Sequence, residues 1–265
     1  MPILVTRDLT RAFGDFIAVD SLNLSVEGGE IFALLGPNGA GKSTALRMLA
    51  TLLPPTSGDA VIDGLSITHQ ANGVRRIIGY VPQMLSADGS LTGYENLMIF
   101  AKLYDIPSNE REERVAEALS FMGLEDAAAK LVSRYSGGMI RRLEIAQSMM
   151  HRPRLLFLDE PTVGLDPIAR EAVWRHILEL QKEFGTTIMM TTHLMEEADT
   201  TCSRVALMAR GKIVALDTPE RLKSSLQMPG ATLDDVFIHY AGSAQESAQN
   251  FKEISRERRT ARRLG

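Results

Sequence analysis

The sequence predicts an α/β protein with a mainly parallel central sheet, and three features of its pattern favour this fold class. Short apolar runs typical of buried strands occur at residues 31–35, 155–158 and 186–190. A helical run at 168–184 joins the last two, and strand–helix–strand connections of this length are typical of parallel pairing. A glycine-rich turn at 36–43 lies between the first run and a helix-forming segment.

The remaining elements follow in chain order. In the first third of the chain, strands are predicted at 3–9, 22–26, 31–35, 60–63 and 76–81, separated by Gly28–Gly29, Pro54–Pro55 and Gly64. The pattern is then helical from 84 to 150, with predicted helices at 94–100, 110–122 and 139–150. The end of the chain predicts a hairpin at 205–215 that turns near Arg210–Gly211, a short helix at 219–225 and an amphipathic helix at 231–240.

The glycine-rich turn is a complete phosphate-binding loop of the form GxxxxGK[ST], placed between a strand and a helix as this motif requires. Its glycines let backbone N–H groups surround phosphate oxygens at a helix N-terminus. Lys42 would reach the β- and γ-phosphates, and the Ser43 hydroxyl would hold Mg²⁺. The sequence therefore predicts a nucleoside triphosphate site at Gly36, Pro37, Asn38, Gly39, Ala40, Gly41, Lys42, Ser43 and Thr44.

Two carboxylates follow the buried run at 155–158, where open parallel sheets bind their ligands. Asp159 would accept Mg²⁺, usually through its water shell, and Glu160 would polarise the water that attacks the γ-phosphate. The structural alternative is that both acids cap the turn at Pro161. The phosphate loop upstream favours the metal and catalytic roles.

The segment Tyr135–Met139, called here the signature segment, opens the predicted helix 139–150. Ser136 suits the N-cap position, and the two glycines after it leave the first amides of the helix accessible. This is a second anion site, about a hundred residues from the first. A single nucleotide in one subunit does not explain both sites, whereas a nucleotide held by another copy does.

The order of these motifs resembles the nucleotide-binding subunit of ATP-binding cassette (ABC) transporters, over residues 3 to about 225. The resemblance implies a P-loop NTPase (RecA-like) core with an antiparallel β subdomain and an inserted helical subdomain, the ABC ATPase fold. It implies the segments 1–83 (first part of the core with β subdomain and P-loop), 84–150 (helical subdomain), 151–225 (second part of the core) and 226–265 (C-terminal extension with basic tail).

By the same resemblance, further residues acquire roles. Phe13 matches the aromatic residue that stacks on adenine. Gln83 matches the residue that touches Mg²⁺ and senses the neighbouring membrane subunit, and His193 matches the γ-phosphate sensor. Ser136 and Gly138 match the donors offered across the dimer to the opposite γ-phosphate, and Asp166 matches the loop that links the two sites. Gly137, between the two donors, is expected to belong to the same nucleotide-binding segment. Taken alone, Phe13 could be a core residue, Gln83 a solvated loop residue and His193 a satisfied polar residue at a strand end.

The signature segment departs from the family's commonest sequence, Leu-Ser-Gly-Gly-Gln, at Tyr135 and Met139. The missing Gln side chain removes a possible polar contact with the nucleotide, whereas the serine hydroxyl and the glycine amides are kept. Together with the segments 163–167 and 232–237, it looks like the branch that powers multidrug, antibiotic and glycolipid exporters. The resemblance implies an ATPase that works as a homodimer or heterodimer with an integral membrane permease, at the cytoplasmic face of the membrane. Movement would pass to the permease through Gln83 and the helical insert, so we expect residues 84–105 to form the docking groove for it.

The composition of the chain disfavours other functions. Net charge is −4 with both signs interspersed, so no nucleic-acid partner is expected, and a soluble ABC-type ATPase acting on nucleic acid or ribosomes is the weaker alternative. A regulatory ATP-binding module without turnover is also disfavoured, because Glu160 and His193 are present.

The single Cys202 excludes an internal disulfide and suits packing. No apolar run is long enough to span a membrane, and the basic segment 252–265 could contact an anionic surface or be a solvated terminus.

Overall fold

The computed structural model describes residues 1–241, so the predicted basic segment 252–265 lies outside the described residues. The strands are β1 (Pro2–Phe13), β2 (Phe16–Leu22), β3 (Ser25–Glu27), β4 (Ile31–Leu35), β5 (Ser57–Ile62), β6 (Leu65–Ser66), β7 (Ile78–Val81), β8 (Leu155–Asp159), β9 (Thr187–Thr192), β10 (Arg204–Ala209) and β11 (Lys212–Asp217). The helices are α1 (Lys42–Leu49), α2 (Ala71–Ile77), α3 (Gly93–Leu103), α4 (Arg111–Phe121), α5 (Gly137–Met149), α6 (Pro167–Phe184), α7 (Met195–Thr201), α8 (Pro219–Ser225) and α9 (Leu233–Ala241). None of these helices is both long and apolar enough to cross a bilayer.

The central sheet has the strand order β11-β10-β4-β9-β8-β7, and every neighbouring pair except β10–β11 is parallel. The predicted parallel sheet is therefore confirmed. In parallel pairing, the carboxyl ends of neighbouring strands lie at one edge. The register places Thr192 beside Leu35 and Thr191 beside Asp159, so the segments that follow β4, β8 and β9 emerge together.

The central sheet separates two hydrophobic clusters, because side chains alternate between the faces of a strand. In β4, Ala33 and Leu35 pack with the helical part of the chain, including α5 and α6. Phe32 and Leu34 pack on the other face with α1 and with the antiparallel sheet β2-β1-β5-β6, to which β3 is also paired. All five β4 residues are buried, as the apolar run predicts.

The helices predicted between residues 84 and 150 are confirmed as α3, α4 and α5. Helix α3 begins with a capping box, in which the side chains of Thr92 and Glu95 bond reciprocally to each other's backbone N–H. Helix α5 begins after Ser136, whose Oγ accepts a hydrogen bond from Met139 N at 3.3 Å, as expected of an N-cap. The division of the chain at residues 83, 150 and 225 stays a prediction.

Two predicted strands are wrong in detail. The run 76–81 begins as helix, since Arg76 and Ile77 complete α2 and pairing with β8 starts only at Ile78. The run 22–26 is two strands, because the Thr6 hydroxyl donates to Leu22 O and accepts from Leu24 N, both at 2.8 Å, at the break between β2 and β3. Sequence reasoning also missed β2, which pairs with the end of β1 to form a hairpin.

Cys202 has the predicted packing role. It follows α7 directly and is buried in the cluster around α9. Burial raises the pKa of its thiol to about 12, so the thiol stays protonated at neutral pH. A protonated, buried thiol is unreactive and acts as a small apolar side chain.

Candidate functional site

The predicted motifs meet at the carboxyl edge of the central sheet. The phosphate loop follows β4, Gln83 follows β7, and His193 follows β9, while Asp159 and Glu160 come at the end of β8. This edge is where open α/β sheets bind ligands. The sheet order therefore assembles in space what is spread over 158 positions of the sequence.

Two glycines of the phosphate loop cannot be replaced without collision. Gly36 has φ +155°, and a Cβ there would lie 2.2 Å from Met208 O in β10. Gly41 has φ +104°, and its Cβ would lie 2.3 Å from Ala18 O in β2. The loop is thus pressed between two strands, and α1 begins immediately after it at Lys42. The loop therefore leads directly into a helix N-terminus, which suits a phosphate group.

Lys42 lies inside this loop with only 4% of its surface exposed. Its Nζ donates to Gly36 O at 2.8 Å and to Pro37 O at 3.2 Å, and lies 3.4 Å from Glu160 Oε1. Burial lowers the pKa of Lys42, and the charges of Glu160 and Asp159 oppose that shift. The ammonium therefore links the phosphate loop to the carboxylate pair.

Asp159 is fully buried, and only one of its two carboxylate oxygens has hydrogen-bonding partners among the described residues. Its Oδ1 accepts hydrogen bonds from Ser43 Oγ at 2.8 Å and from Thr191 Oγ1 at 2.6 Å, whereas Oδ2 has no partner among the described residues. A buried carboxylate oxygen without a partner is costly unless a cation or donor occupies its free side. The hydroxyl and carboxylate oxygens here are the hard donors that Mg²⁺ takes, so this pair fits that ion.

Glu160 is surrounded by three polar side chains. Beyond Lys42, its Oε2 accepts from Gln83 Nε2 at 3.3 Å and lies 3.2 Å from His193 Nδ1. The His193 ring first, and Lys42 next, hold the pKa of Glu160 below its ordinary value against the effect of burial. The carboxylate therefore stays ionised at neutral pH, in the form that can orient a water molecule and attract its proton.

The backbone of Glu160 is also unusual. Its φ is +50°, a left-handed backbone conformation that residues other than glycine adopt rarely. The conformation is held by two hydrogen bonds from Glu160 N, to Thr191 O at 3.1 Å and to Thr191 Oγ1 at 3.0 Å. Such local strain is typical of functional positions, since the surrounding structure must maintain it.

The signature segment lies beside the Asp166 loop. Asp166 caps α6 by accepting from Ala169 N at 2.9 Å, and a Cβ on Gly138 would lie 2.7 Å from Ala169 Cβ. Ser136 and Gly137 are exposed, and Gly138 is buried in this contact. Among residues 1–241, no hydrogen bond or ion pair joins this group to the phosphate loop of the same chain.

Phe13 ends β1 at the hairpin turn and is 48% exposed, so it is not a core residue. The guanidinium of Arg11 lies over one face of its ring, 4.6 Å from the centroid. The same hairpin reaches the phosphate loop through Ala18, which contacts Gly41. The position is therefore compatible with stacking on a base, on the ring face that Arg11 leaves open.

Sequence reasoning missed the residues that hold the site in shape. Thr191 bonds both Asp159 and the backbone of Glu160, and its only signal was its position two residues before His193. Glu197 in α7 accepts from Thr162 Oγ1 at 2.7 Å and pairs with Arg170 Nε at 3.2 Å. The first contact ties the helix after His193 to the loop after Glu160, across 35 residues of sequence, and the second ties it to α6.

Comparisons with known proteins decide the family. The family model for ABC transporters matches residues 19–163. The chain belongs to the ABC transporter family. The predicted family and ABC ATPase fold are therefore confirmed.

Two curated ABC-family relatives are ATP-binding proteins with drug-related names. The chain is 40% identical over 239 residues to the "Probable multidrug ABC transporter ATP-binding protein YbhF" of Escherichia coli, covering 89% of this chain and 41% of YbhF. It is 43% identical over 242 residues to the "Daunorubicin/doxorubicin resistance ATP-binding protein DrrA" of Streptomyces peucetius, covering 91% of this chain and 72% of DrrA. The chain thus spans less than half the length of YbhF. Both names agree with the predicted resemblance to the drug-exporter branch of ABC ATP-binding subunits.

A solved structure of the ABC family has the same fold. It is described as the dimeric structure of a post-hydrolysis state of the ATP-binding cassette MJ0796 bound to ADP and Pi. The TM-score is 0.72 at 27% identity, covering 81% of this chain and 98% of that chain. The likeness takes in four fifths of this chain, so it is not confined to the residues 19–163 that the family model matches.

Proposed function

We propose that the chain binds ATP with Mg²⁺ and hydrolyses it, as one half of a dimeric ATPase that powers a membrane exporter. The observation that carries this proposal is the cluster at the sheet edge, where Lys42, Gln83 and His193 surround the buried Glu160. Next to it lies the buried Asp159, of which one carboxylate oxygen has no partner among the described residues. A carboxylate kept ionised in this position suits a group that orients water for attack on a phosphate.

Each residue then has a task. The loop amides and Lys42 bind the β- and γ-phosphates, and Phe13 stacks on the base. Ser43 and Asp159, with Gln83 nearby, would hold Mg²⁺, which neutralises phosphate charge when bound. Glu160 takes the proton of the attacking water. His193, 3.2 Å from that carboxylate, contacts the γ-phosphate through its ring.

The exposed signature segment supports a dimer. Ser136 and Gly137 lie at the N-terminus of α5, which favours an anion, yet no hydrogen bond or ion pair within residues 1–241 links them to the phosphate loop of their own chain. A second subunit, identical or homologous, would present this segment to the bound γ-phosphate. The nucleotide then holds the two subunits together, and hydrolysis releases them.

Ser136→Arg tests the dimer proposal. The added side chain should block approach of the partner's nucleotide, while the phosphate loop of the same chain is untouched. We expect ATP-dependent dimers to disappear in light scattering and ATP turnover to fall about a hundredfold. ATP affinity, measured by titration with a fluorescent analogue, should change less than threefold.

The matched control is Ser224→Arg, at an exposed position on α8 outside the site. This variant should dimerise and hydrolyse ATP as the wild type does. Normal turnover in Ser136→Arg would refute a role for the signature segment. Loss of ATP affinity in the same variant would instead place Ser136 within its own subunit's nucleotide site.

An apolar surface around α3 supports docking of a membrane permease. Met84 is 82% exposed, Leu85 49% and Leu103 69%, and Ile99 is also exposed. Ile99 and Leu103 lie one turn apart on one face of α3, and Met84 and Leu85 are neighbours in the loop before it. Exposed apolar side chains that lie together commonly mark an interaction site. They lie within residues 84–105, the predicted permease groove. Contact here would hold the ATPase peripherally at the cytoplasmic face of the membrane.

Leu103→Asp tests this docking surface and the export direction together. In cells that express the chain with its permease, we expect the variant to lose binding to the membrane fraction and to lose efflux of a fluorescent anthracycline. The charge would have to be buried against the permease, which is strongly unfavourable. Leu52→Asp, at an exposed leucine after α1, should retain both. Wild-type efflux by Leu103→Asp would contradict the proposed docking surface. An absence of anthracycline efflux in the wild type would contradict the proposal that the exporter carries drugs of this kind.

A further inference from the structure

Helix α5 carries a buried ion pair that the catalytic roles do not explain. Arg141 Nη1 and Glu144 Oε2 are 3.0 Å apart, and both side chains are 2% exposed. Removing two charges from water is costly unless each finds further hydrogen-bonding partners. An apolar pair would pack α5 against the sheet as well, so the partners of these two charges indicate their role.

Within residues 1–241, every further hydrogen bond of these two side chains goes to one loop, the segment 82–87 that follows β7. Arg141 donates from Nη1 to Pro82 O at 2.6 Å and from Nη2 to Gln83 O at 2.7 Å. Glu144 Oε1 accepts from the backbone and the hydroxyl of Ser86 and, at 3.3 Å, from Ala87 N. The ion pair therefore makes charge-assisted hydrogen bonds to both ends of the loop.

The loop and the helix lead to different parts of the molecule. Within the loop, the side chain of Gln83 contacts Glu160, and Met84 and Leu85 are exposed on the proposed docking surface. One turn before Arg141, α5 begins at the signature segment with Ser136. The ion pair thus connects two functional places. One is the signature segment, which is proposed to contact the partner's nucleotide, and the other is Gln83, whose side chain bonds Glu160.

We infer that Arg141 and Glu144 are positioning residues that lock the loop 82–87 to α5, so that the signature segment and Gln83 move as one body. This inference rests on the proposed dimer. Closure of the signature segment on a partner's nucleotide would then set the position of Gln83 beside Glu160. Conversely, a permease that displaces Met84 and Leu85 would shift the signature segment of the same subunit.

Hydrogen–deuterium exchange tests the link in the full chain carrying Glu160→Gln, which retains bound ATP. In this parent, Mg-ATP should slow exchange about tenfold both at 136–140 and at 82–87. In the double variant Arg141→Met with Glu144→Leu, which leaves no unpaired charge, 136–140 should remain protected. The segment 82–87 should respond less than twofold.

The matched control is Arg142→Met, the next residue of the same helix. Its Nη1 donates to Met122 O at 2.7 Å and to Gly123 O at 3.3 Å, so it loses comparable bonds to backbone carbonyls outside the loop. It should respond like the parent at both segments. Melting temperatures of all variants identify any general loss of stability.

The outcomes separate the inference from the proposed function. No ATP-dependent protection at 136–140 in the parent would overturn the dimer on which the inference rests. Protection of 82–87 as large in the double variant as in the parent would overturn the inference alone. If the double variant does not fold, Arg141→Lys replaces it, since a single ammonium cannot hold both carbonyls as the guanidinium does. With Glu160 intact, Arg141→Lys should then lower kcat about tenfold at unchanged KM for ATP, and wild-type kcat would refute the link.

Discussion

Glu160→Gln is expected to reduce ATP turnover about a thousandfold, because the variant keeps the shape of the side chain and loses its basicity. The amide still packs between Lys42, Gln83 and His193, so nucleotide affinity should stay within a few-fold of the wild type. Phosphate release measures the first quantity, and titration with a fluorescent ATP analogue measures the second. A stable ATP-bound dimer should accumulate in size-exclusion chromatography.

The control for this prediction is Glu171→Gln, at an exposed position on α6. It should hydrolyse ATP at the wild-type rate. Unchanged turnover in Glu160→Gln would remove Glu160 from its proposed role. An ATP-bound monomer in that variant would instead argue against nucleotide shared between two subunits.

Lys42→Met is expected to weaken ATP binding about a hundredfold, which corresponds to about 2.7 kcal/mol. The variant removes the buried ammonium that donates to Gly36 O and Pro37 O, and it leaves no cation inside the loop to meet the phosphates. It also removes one of the charges that lower the pKa of Glu160, so that pKa should rise. Titration with the fluorescent analogue measures the affinity.

Lys182→Met, an exposed position in the last turn of α6, is the matched control and should bind ATP normally. A melting curve of Lys42→Met distinguishes weak binding from unfolding, since methionine fills a similar unbranched volume. ATP affinity equal to the wild type in a folded Lys42→Met would contradict the proposed position of the phosphates.

The parts of the site that sequence reasoning predicted are local. The phosphate loop, Asp159 with Glu160, and the cap of α5 by Ser136 each occupy a few consecutive residues. Local motifs carry their own backbone requirement, such as the positive φ of Gly41, so they can be recognised without a fold. Their placement at one sheet edge followed from the predicted parallel pairing.

The supporting contacts were not predictable in this way. Thr191 bonds Asp159 across 32 residues, and Glu144 bonds Ser86 across 58. A threonine in a buried strand, or an arginine and a glutamate one turn apart in a helix, has many structural uses. The strand 22–26 was mispredicted for the same reason, since the Thr6 side chain that interrupts it comes from another strand.

The order of motifs alone was enough to predict the ABC family, and the buried apolar runs with their helical connection were enough to predict the α/β fold class. Tertiary structure decided how the residues of the site are held: Thr191 supports the left-handed backbone of Glu160, and Arg141 and Glu144 tie the loop that carries Gln83 to α5. The physical reason is that a hydrogen bond depends on distances of about 3 Å between groups far apart in sequence. Such distances exist only after the sheet and helices have packed.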